Sequence, residues 1–216
     1  MSARGTILAS IRTSLKVYDN DPERRAAAEA RTKAHLRGTV PARATVQAGE
    51  AMIAFVARLK AAGVTVAEAA HLSDVPKLAA DYLRSQNLPA RLRMGADPDL
   101  TGLTWDIDIA HGRAVGTDEV SISKAFAGVA ETGTLVLTSG PDNPTTLNFL
   151  PETHIVVVRG ADVVGGYEDV WDRLRASGPL PRTVNWVSGP SRTADIEQTI
   201  VMGAHGPRRL HVILAG

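Results

Sequence analysis

An α/β fold with a mainly parallel sheet and helices on both sides is what this sequence predicts, on three observations. Apolar runs such as Ile155-Val156-Val157-Val158 lack the polar alternation of a half-exposed strand, which suits strands covered on both faces. Segments of helical apolar spacing separate most of these runs. The chain is 216 residues long and 44% hydrophobic, enough to bury the core of one large domain.

Taken in order, Ile7, Leu8, Ile11 and Leu15 fall at helical spacing, so the first segment should lay one apolar face on something. Residues 22–37 are rich in alanine and charge, with Arg24, Arg25, Arg31, Lys33 and Arg37 against Glu23 and Glu29, and read as a solvated helix or mobile arm, the alternative being a projecting helix that touches another chain. Together residues 1–45 form an N-terminal helical arm ahead of an α/β domain of residues 46–216. A helix is predicted over 46–62, where Met52, Ile53, Val56 and Leu59 recur on one face and Gly63 stands at the stop position. A short strand follows at 64–66, a helix at 74–86 ended by Pro89, and a second strand at 90–94. Residues 95–119 have no sustained period; their glycines and their five aspartates, at 97, 99, 106, 108 and 118, mark loops and one edge strand near 105–109. These aspartates match no calcium-loop spacing and read as turn formers. Strands are then predicted at 120–123, 134–138, 155–158, 183–187 and 210–214. Helices are predicted at 124–130, around Tyr167, Val170, Trp171 and Leu174, and at 194–202.

The composition excludes several functions. Lysine and arginine number 24 against 23 acidic residues, a formal net charge of +1, which leaves no broad footprint for nucleic acid. Aromatic residues are 4% of the chain, so base-stacking platforms are scarce. Without a cysteine the chain holds no disulfide, thiolate zinc site or cysteine-ligated iron–sulfur cluster, and a redox centre would sit on a partner. The first eight residues lack the apolar core of a signal peptide, and no run approaches the roughly 18 apolar residues of a membrane span, so the expected address is the cytoplasm. The histidines at 35, 71, 111, 154, 205 and 211 form no close pair of ligand type, so no metal site is expected. A Walker loop, a Gly-x-Gly-x-x-Gly fingerprint and a Gly-x-Ser-x-Gly elbow are all missing.

Four joints carry candidate chemistry. In Gly189-Pro190-Ser191-Arg192-Thr193-Ala194-Asp195-Ile196-Glu197, Gly189 permits a chain reversal, Ser191 or Thr193 can cap a following helix, and Arg192 can hold a carboxylate or phosphate beside free amides. The segment reads as a small-anion cradle at the carboxyl end of a strand, where ligands bind in open α/β sheets; the alternative is that Arg192 pairs with Asp195 or Glu197. Glu131, followed by Thr132 and Gly133 at a helix-to-strand turn, can serve as base or nucleophile, or simply receive backbone amides. Asp142 and Asn143 offer polar groups in a turn-rich loop, and His205, between small residues, can approach a ligand closely as acid or base.

Three stretches in this order resemble the LUD (lactate utilization) domain family, and within it the lactate utilization protein C type: Ala130-Glu131-Thr132-Gly133-Thr134-Leu135-Val136-Leu137; Leu150-Pro151-Glu152-Thr153-His154-Ile155-Val156-Val157-Val158; and Ser188 to Glu197 with Gly203-Ala204-His205-Gly206-Pro207. The resemblance implies the three-layer fold shared by glucosamine-6-phosphate deaminase, ribose-5-phosphate isomerase and coenzyme A transferases. It also implies an accessory role in oxidising L-lactate to pyruvate beside iron–sulfur lactate utilization proteins that carry the clusters, with a small anionic metabolite as ligand. Related coenzyme A transferases use a Glu in a comparable short motif, which singles out Glu131 under the alternative of an independent transferase or isomerase. Whether the chain is itself an enzyme, and whether it assembles with copies of itself, stays open.

Overall fold

The computed structural model describes residues 2–17, 21–46, 48–194 and 200–216. Two compact units make up the chain, Met1–Thr39 and Val40–Gly216. The first holds α1 (Ala3–Leu15) and α2 (Pro22–Ala34). The Ser2 hydroxyl accepts from the Gly5 amide, the Asp21 carboxylate accepts from the Arg24 amide, and Pro22 stands where a helix needs no N–H, so both helices start on capped turns. Neither helix buries a residue, and the apolar stripe of α1 is open, with Ile7 59% and Leu15 62% exposed.

In the second unit the helices are α3 (Ala48–Ala61), α4 (Val75–Ser85), α5 (Pro98–Thr101), α6 (Thr145–Phe149) and α7 (Tyr167–Ala176). The strands are β1 (Thr65–Ala69), β2 (Arg91–Met94), β3 (Asp108–His111), β4 (Val120–Lys124), β5 (Ala127–Val129), β6 (Thr134–Thr138), β7 (Thr153–Arg159), β8 (Val163–Val164), β9 (Val184–Val187), β10 (Arg192–Ala194), β11 (Ile200–Met202) and β12 (Arg209–Ala215). Six strands form an all-parallel sheet in the order β1-β12-β7-β4-β2-β3. The expected α/β fold with a mainly parallel sheet is therefore what the chain adopts.

Side-chain alternation splits this sheet between two cores. Ile155 and Val157 of β7 and Ile213 of β12 pack with Val75, Ala79 and Leu83 of α4 and Leu100 of α5. Val156, Val158, Val212 and Leu214 point the other way, toward Phe55 and Leu59 of α3 and Leu135 and Leu137 of β6. A second sheet, β8-β5-β6-β9, lies on that side, and its outer residues pack on Val170 and Leu174 of α7. Its β5, β6 and β9 pair antiparallel.

Two predicted helices are strands instead. The first covers residues 124–130, which finish β4 and form β5; Gly128 lies under the Phe55 ring, where an added Cβ would stand 2.7 Å from Cζ, and Val129 pairs with Thr134. Glu131 therefore sits in a β5–β6 hairpin turn and not at a helix end. Gly133 is left-handed (φ 69°), and its missing side chain lets the turn rest on the Arg58–Leu59 backbone of α3. The second covers 194–202, whose described ends are β10 and β11, paired antiparallel with Arg192 opposite Met202. The β-branched Thr193 favours that extended pairing. Asp195 and Glu197 lie outside the described residues.

Candidate functional site

The strand register brings the amino ends of β4, β7 and β12 together, with Ser121 and Leu210 both opposite His154. A cavity of about 240 Å³ opens there, lined by Asn148 and Phe149 of α6, His154, Leu210, Trp186, residues 187–191 and His205-Gly206-Pro207. Two glycine-punctuated joints build its rim. Gly189 (φ 128°) turns the chain after β9 so tightly against Ala62 that an added Cβ would meet it at 3.2 Å. The Ser191 amide donates to Pro207 O at 2.8 Å, and the His205 amide donates to Ser191 Oγ at 3.3 Å, which ties the two loops.

Polar atoms without protein partners sit at the floor. His154 is fully buried; its Nε2 lies 2.7 Å from Ser123 Oγ, and its Nδ1 has no partner among the described residues. Burial pushes its pKa down to about 3, so the ring is neutral. Asn148 is 1% exposed, and neither its Oδ1 nor its Nδ2 is bonded among the described residues. Unsatisfied buried polar atoms cost on the order of 1–3 kcal/mol each, a cost that a bound ligand can repay. Trp186, Phe149 and Leu210 supply apolar wall, and among the described residues no Lys, Arg, Asp or Glu lines the cavity.

The predicted site residues divide. Gly189, Ser191 and His205 line this one cavity. Arg192 does not; its Nη2 donates to Ala62 O at 2.8 Å, against Gly63 at the end of α3. The guanidinium meant for the anion is thus used on a helix carbonyl. Thr193 pairs with Val201 in the β10–β11 ladder. Glu131, its side chain 5% exposed, takes Arg43 Nε at 2.9 Å, while its amide donates to Gly165 O at 3.0 Å. Thr132 bonds the Tyr167 hydroxyl and Thr134 Oγ1, which reaches Ser188 Oγ at the cavity rim, so Thr132 is linked to the cavity without lining it. In the loop after β6, Asn143 Nδ2 donates to Thr138 O at 3.2 Å, and the Asp142 carbonyl packs against Gly95; neither residue lines the cavity.

The carboxyl end of the same sheet, where ligands of open α/β sheets usually bind, carries charge instead. Lys124 Nζ holds Asp97 at 3.1 Å and Asp99 at 2.5 Å, and Arg159 reaches Asp99 at 2.9 Å. The hydrogen bond from Lys124 lowers the Asp99 pKa. Burial opposes the Lys124 charge, yet its bonds to Asp99 and Asp97 raise its pKa. Asp118 is held by Arg93 and the Val115 amide. Asp97, Asp99 and Asp118 thus serve caps, turns and ion pairs.

Known proteins share this half of the chain. Residues 112–215 match the LUD domain family. The LUD region thus contains β4 to β12 and every residue that lines the cavity. An uncharacterized protein of Neisseria meningitidis serogroup B is 40% identical over 99 residues, 45% of this chain and 42% of that protein. Lactate utilization protein C of Deinococcus radiodurans is 38% identical over 109 residues, 50% of this chain and 51% of the relative. Its Bacillus subtilis namesake is 33% identical over 116 residues, 51% and 48% of the two chains. The chain spans about half the length of the curated relatives it matches. Its fold is also that of a crystallised DUF162 family protein from Deinococcus radiodurans, with a TM-score of 0.61 at 22% identity over 79% of this chain and 99% of that one. Among the described residues no helix is long and apolar enough to cross a membrane.

Sequence reasoning missed His154 and Asn148. The available signal was the polar pair Ser121 and Ser123 alternating with Val120 and Ile122, beside a histidine at the start of an apolar strand. Only the β4–β7 pairing puts Ser123 and His154 on one face.

Proposed function

We propose that this chain serves lactate utilization as an accessory protein whose LUD domain holds a small carboxylate, lactate or pyruvate, in the His154–Asn148 cavity. The observation that carries the reading is the set of unbonded polar atoms at the floor of a cavity sized for a three-carbon acid. Trp186, Phe149 and Leu210 suit the methyl group, and the Gly189 and Gly206 amides, which unlike those of Ser191 and His205 are not used between the loops among the described residues, suit the carboxylate. The relatives named lactate utilization protein C support the pathway. Oxidising lactate to pyruvate releases two electrons and two protons, and a chain without cysteine has no thiolates for an iron–sulfur cluster. The electrons therefore pass to iron–sulfur partner proteins in the cytoplasm. The alternative, an independent transferase or isomerase with Glu131 as base or nucleophile, is disfavoured by the Arg43 ion pair and because Glu131 is not among the described residues that line the cavity.

Deleting the gene in its host and complementing it tests this. Growth on L-lactate should fail, return with the wild-type chain, and stay absent with Asn148→Leu, while the tagged chain brings down iron–sulfur partners. Undisturbed growth of the deletion strain contradicts the reading.

A further inference from the structure

Counting donors and acceptors at the cavity floor narrows the ligand further. Ser123 is 1% exposed, and among the described residues its hydroxyl has His154 Nε2 as its one hydrogen-bond partner, at 2.7 Å. A buried hydroxyl that kept its proton unbonded would forfeit a hydrogen bond, so Ser123 donates to Nε2. The neutral ring then carries its own proton on Nδ1, the nitrogen without a protein partner. Asn148 adds one acceptor, Oδ1, and the Nδ2 donors. The floor thus offers a fixed donor from His154 and both kinds of group from Asn148.

A hydroxyl satisfies this set as a carbonyl cannot. Its oxygen accepts from His154 Nδ1–H, its proton goes to Asn148 Oδ1, and Nδ2 donates to an adjoining carboxylate. A 2-oxo group also accepts from Nδ1–H but has no proton for Oδ1, which is left facing oxygen lone pairs. With no Lys or Arg in the lining among the described residues, the Gly189 and Gly206 amides and His205 suit one carboxylate and no more.

We propose that the cavity takes a 2-hydroxy monocarboxylate, recognised through its hydroxyl, and that Ser123 is the positioning residue that fixes which nitrogen of His154 donates. This rests on the monocarboxylate reading above. It sets a preference within that class, since a site built around a hydroxyl rejects analogues that lack it far better than an apolar site rejects an added one.

Calorimetric titration of the full chain with L-lactate, pyruvate, propionate and malate is the test. L-Lactate should bind about tenfold or more tighter than pyruvate or propionate, with no heat from malate. In Ser123→Ala the preference for lactate over pyruvate should fall to within about threefold. Nitrogen-15 spectra of the His154 ring should show the proton on Nδ1 in the wild type and a mixture of tautomers in the variant, with far-ultraviolet circular dichroism unchanged. Equal or tighter binding of pyruvate overturns the proposal, as does an unaltered ratio or unaltered tautomer in the variant. If none of the three monocarboxylates binds, the monocarboxylate reading fails together with this one; binding without preference removes this one alone.

Discussion

At the carboxyl ends of β4 and β7, Lys124, Asp97, Asp99 and Arg159 close on one another, whereas at the amino ends of β4, β7 and β12 the buried His154 Nδ1 and the Asn148 amide have no partner among the described residues. The carboxyl end pairs its charges with one another, and the amino end, beside its own pairs Arg93–Asp118 and Arg208–Glu152, keeps polar atoms of two buried side chains unbonded among the described residues. The usual rule for open α/β sheets points to the carboxyl end. Hydrogen-bond accounting points to the amino end, because a folded chain keeps costly unpaired atoms where something else pairs them. Asn143 Oδ1, Asn185 Nδ2 and His211 Nε2 are also unbonded among the described residues, so it is the meeting of two such side chains in one cavity, and not an unpaired atom alone, that favours the amino end.

Acidification should separate the two ends most. His154 and His211 have folded pKa values lowered to about 3 and about 4, chiefly by burial. Their stabilisation is complete above the unfolded value near 6.5 and is lost as pH falls toward those folded values, since the unfolded chain binds protons that the native chain refuses. At the carboxyl end Asp99, lowered, and Lys124, raised, keep their charges across the same window. Urea unfolding at about pH 5 should therefore give a stability on the order of 2–4 kcal/mol below that at about pH 7.5. His154→Gln, with no proton to gain, should roughly halve the slope.

Next in size is Lys124→Met, which leaves the buried Asp97 without its cation and Asp99 with Arg159 alone. It should cost about 1–3 kcal/mol, less than a fully buried pair because Asp99 is partly solvated, with lactate affinity within about twofold of wild type. Asn148→Leu should do the reverse: about 1 kcal/mol gained from removing unpaired buried atoms, and lactate binding lost. Smallest is Arg192→Ala, which removes a bond to Ala62 O at an exposed position and should leave carboxylate affinity within about twofold. A large loss of affinity there would return Arg192 to the site.

Much of this was readable from the residues, and the exceptions share a cause. The strands β4, β6, β7 and β12 and the helices α3, α4 and α7 carry long periodic patterns, and each forms close to the predicted span. The strands β5, β10 and β11 are three residues each and owe their state to pairing with neighbours, so Lys124 to Ala130 read as a helix and 194–202 likewise. The cavity rim was half legible, because glycine and proline announced the turns at Gly189 and at His205-Gly206. Its floor was not, because which residues meet there depends on strand register across some thirty positions. Arg192 and Glu131 misled for a related reason: an arginine or glutamate in a glycine-rich joint looks free in sequence, and Ala62 O and Arg43 engage them only in space.

Side-chain nitrogen-15 NMR of the full chain, recorded as L-lactate is added, addresses the contrast between the two ends directly. The His154 ring and Asn148 amide signals should shift in saturable fashion with a common dissociation constant while the Lys124 ammonium signal stays in place. A saturable shift at Lys124, with His154 and Asn148 unmoved, would put the ligand at the carboxyl end and contradict the account.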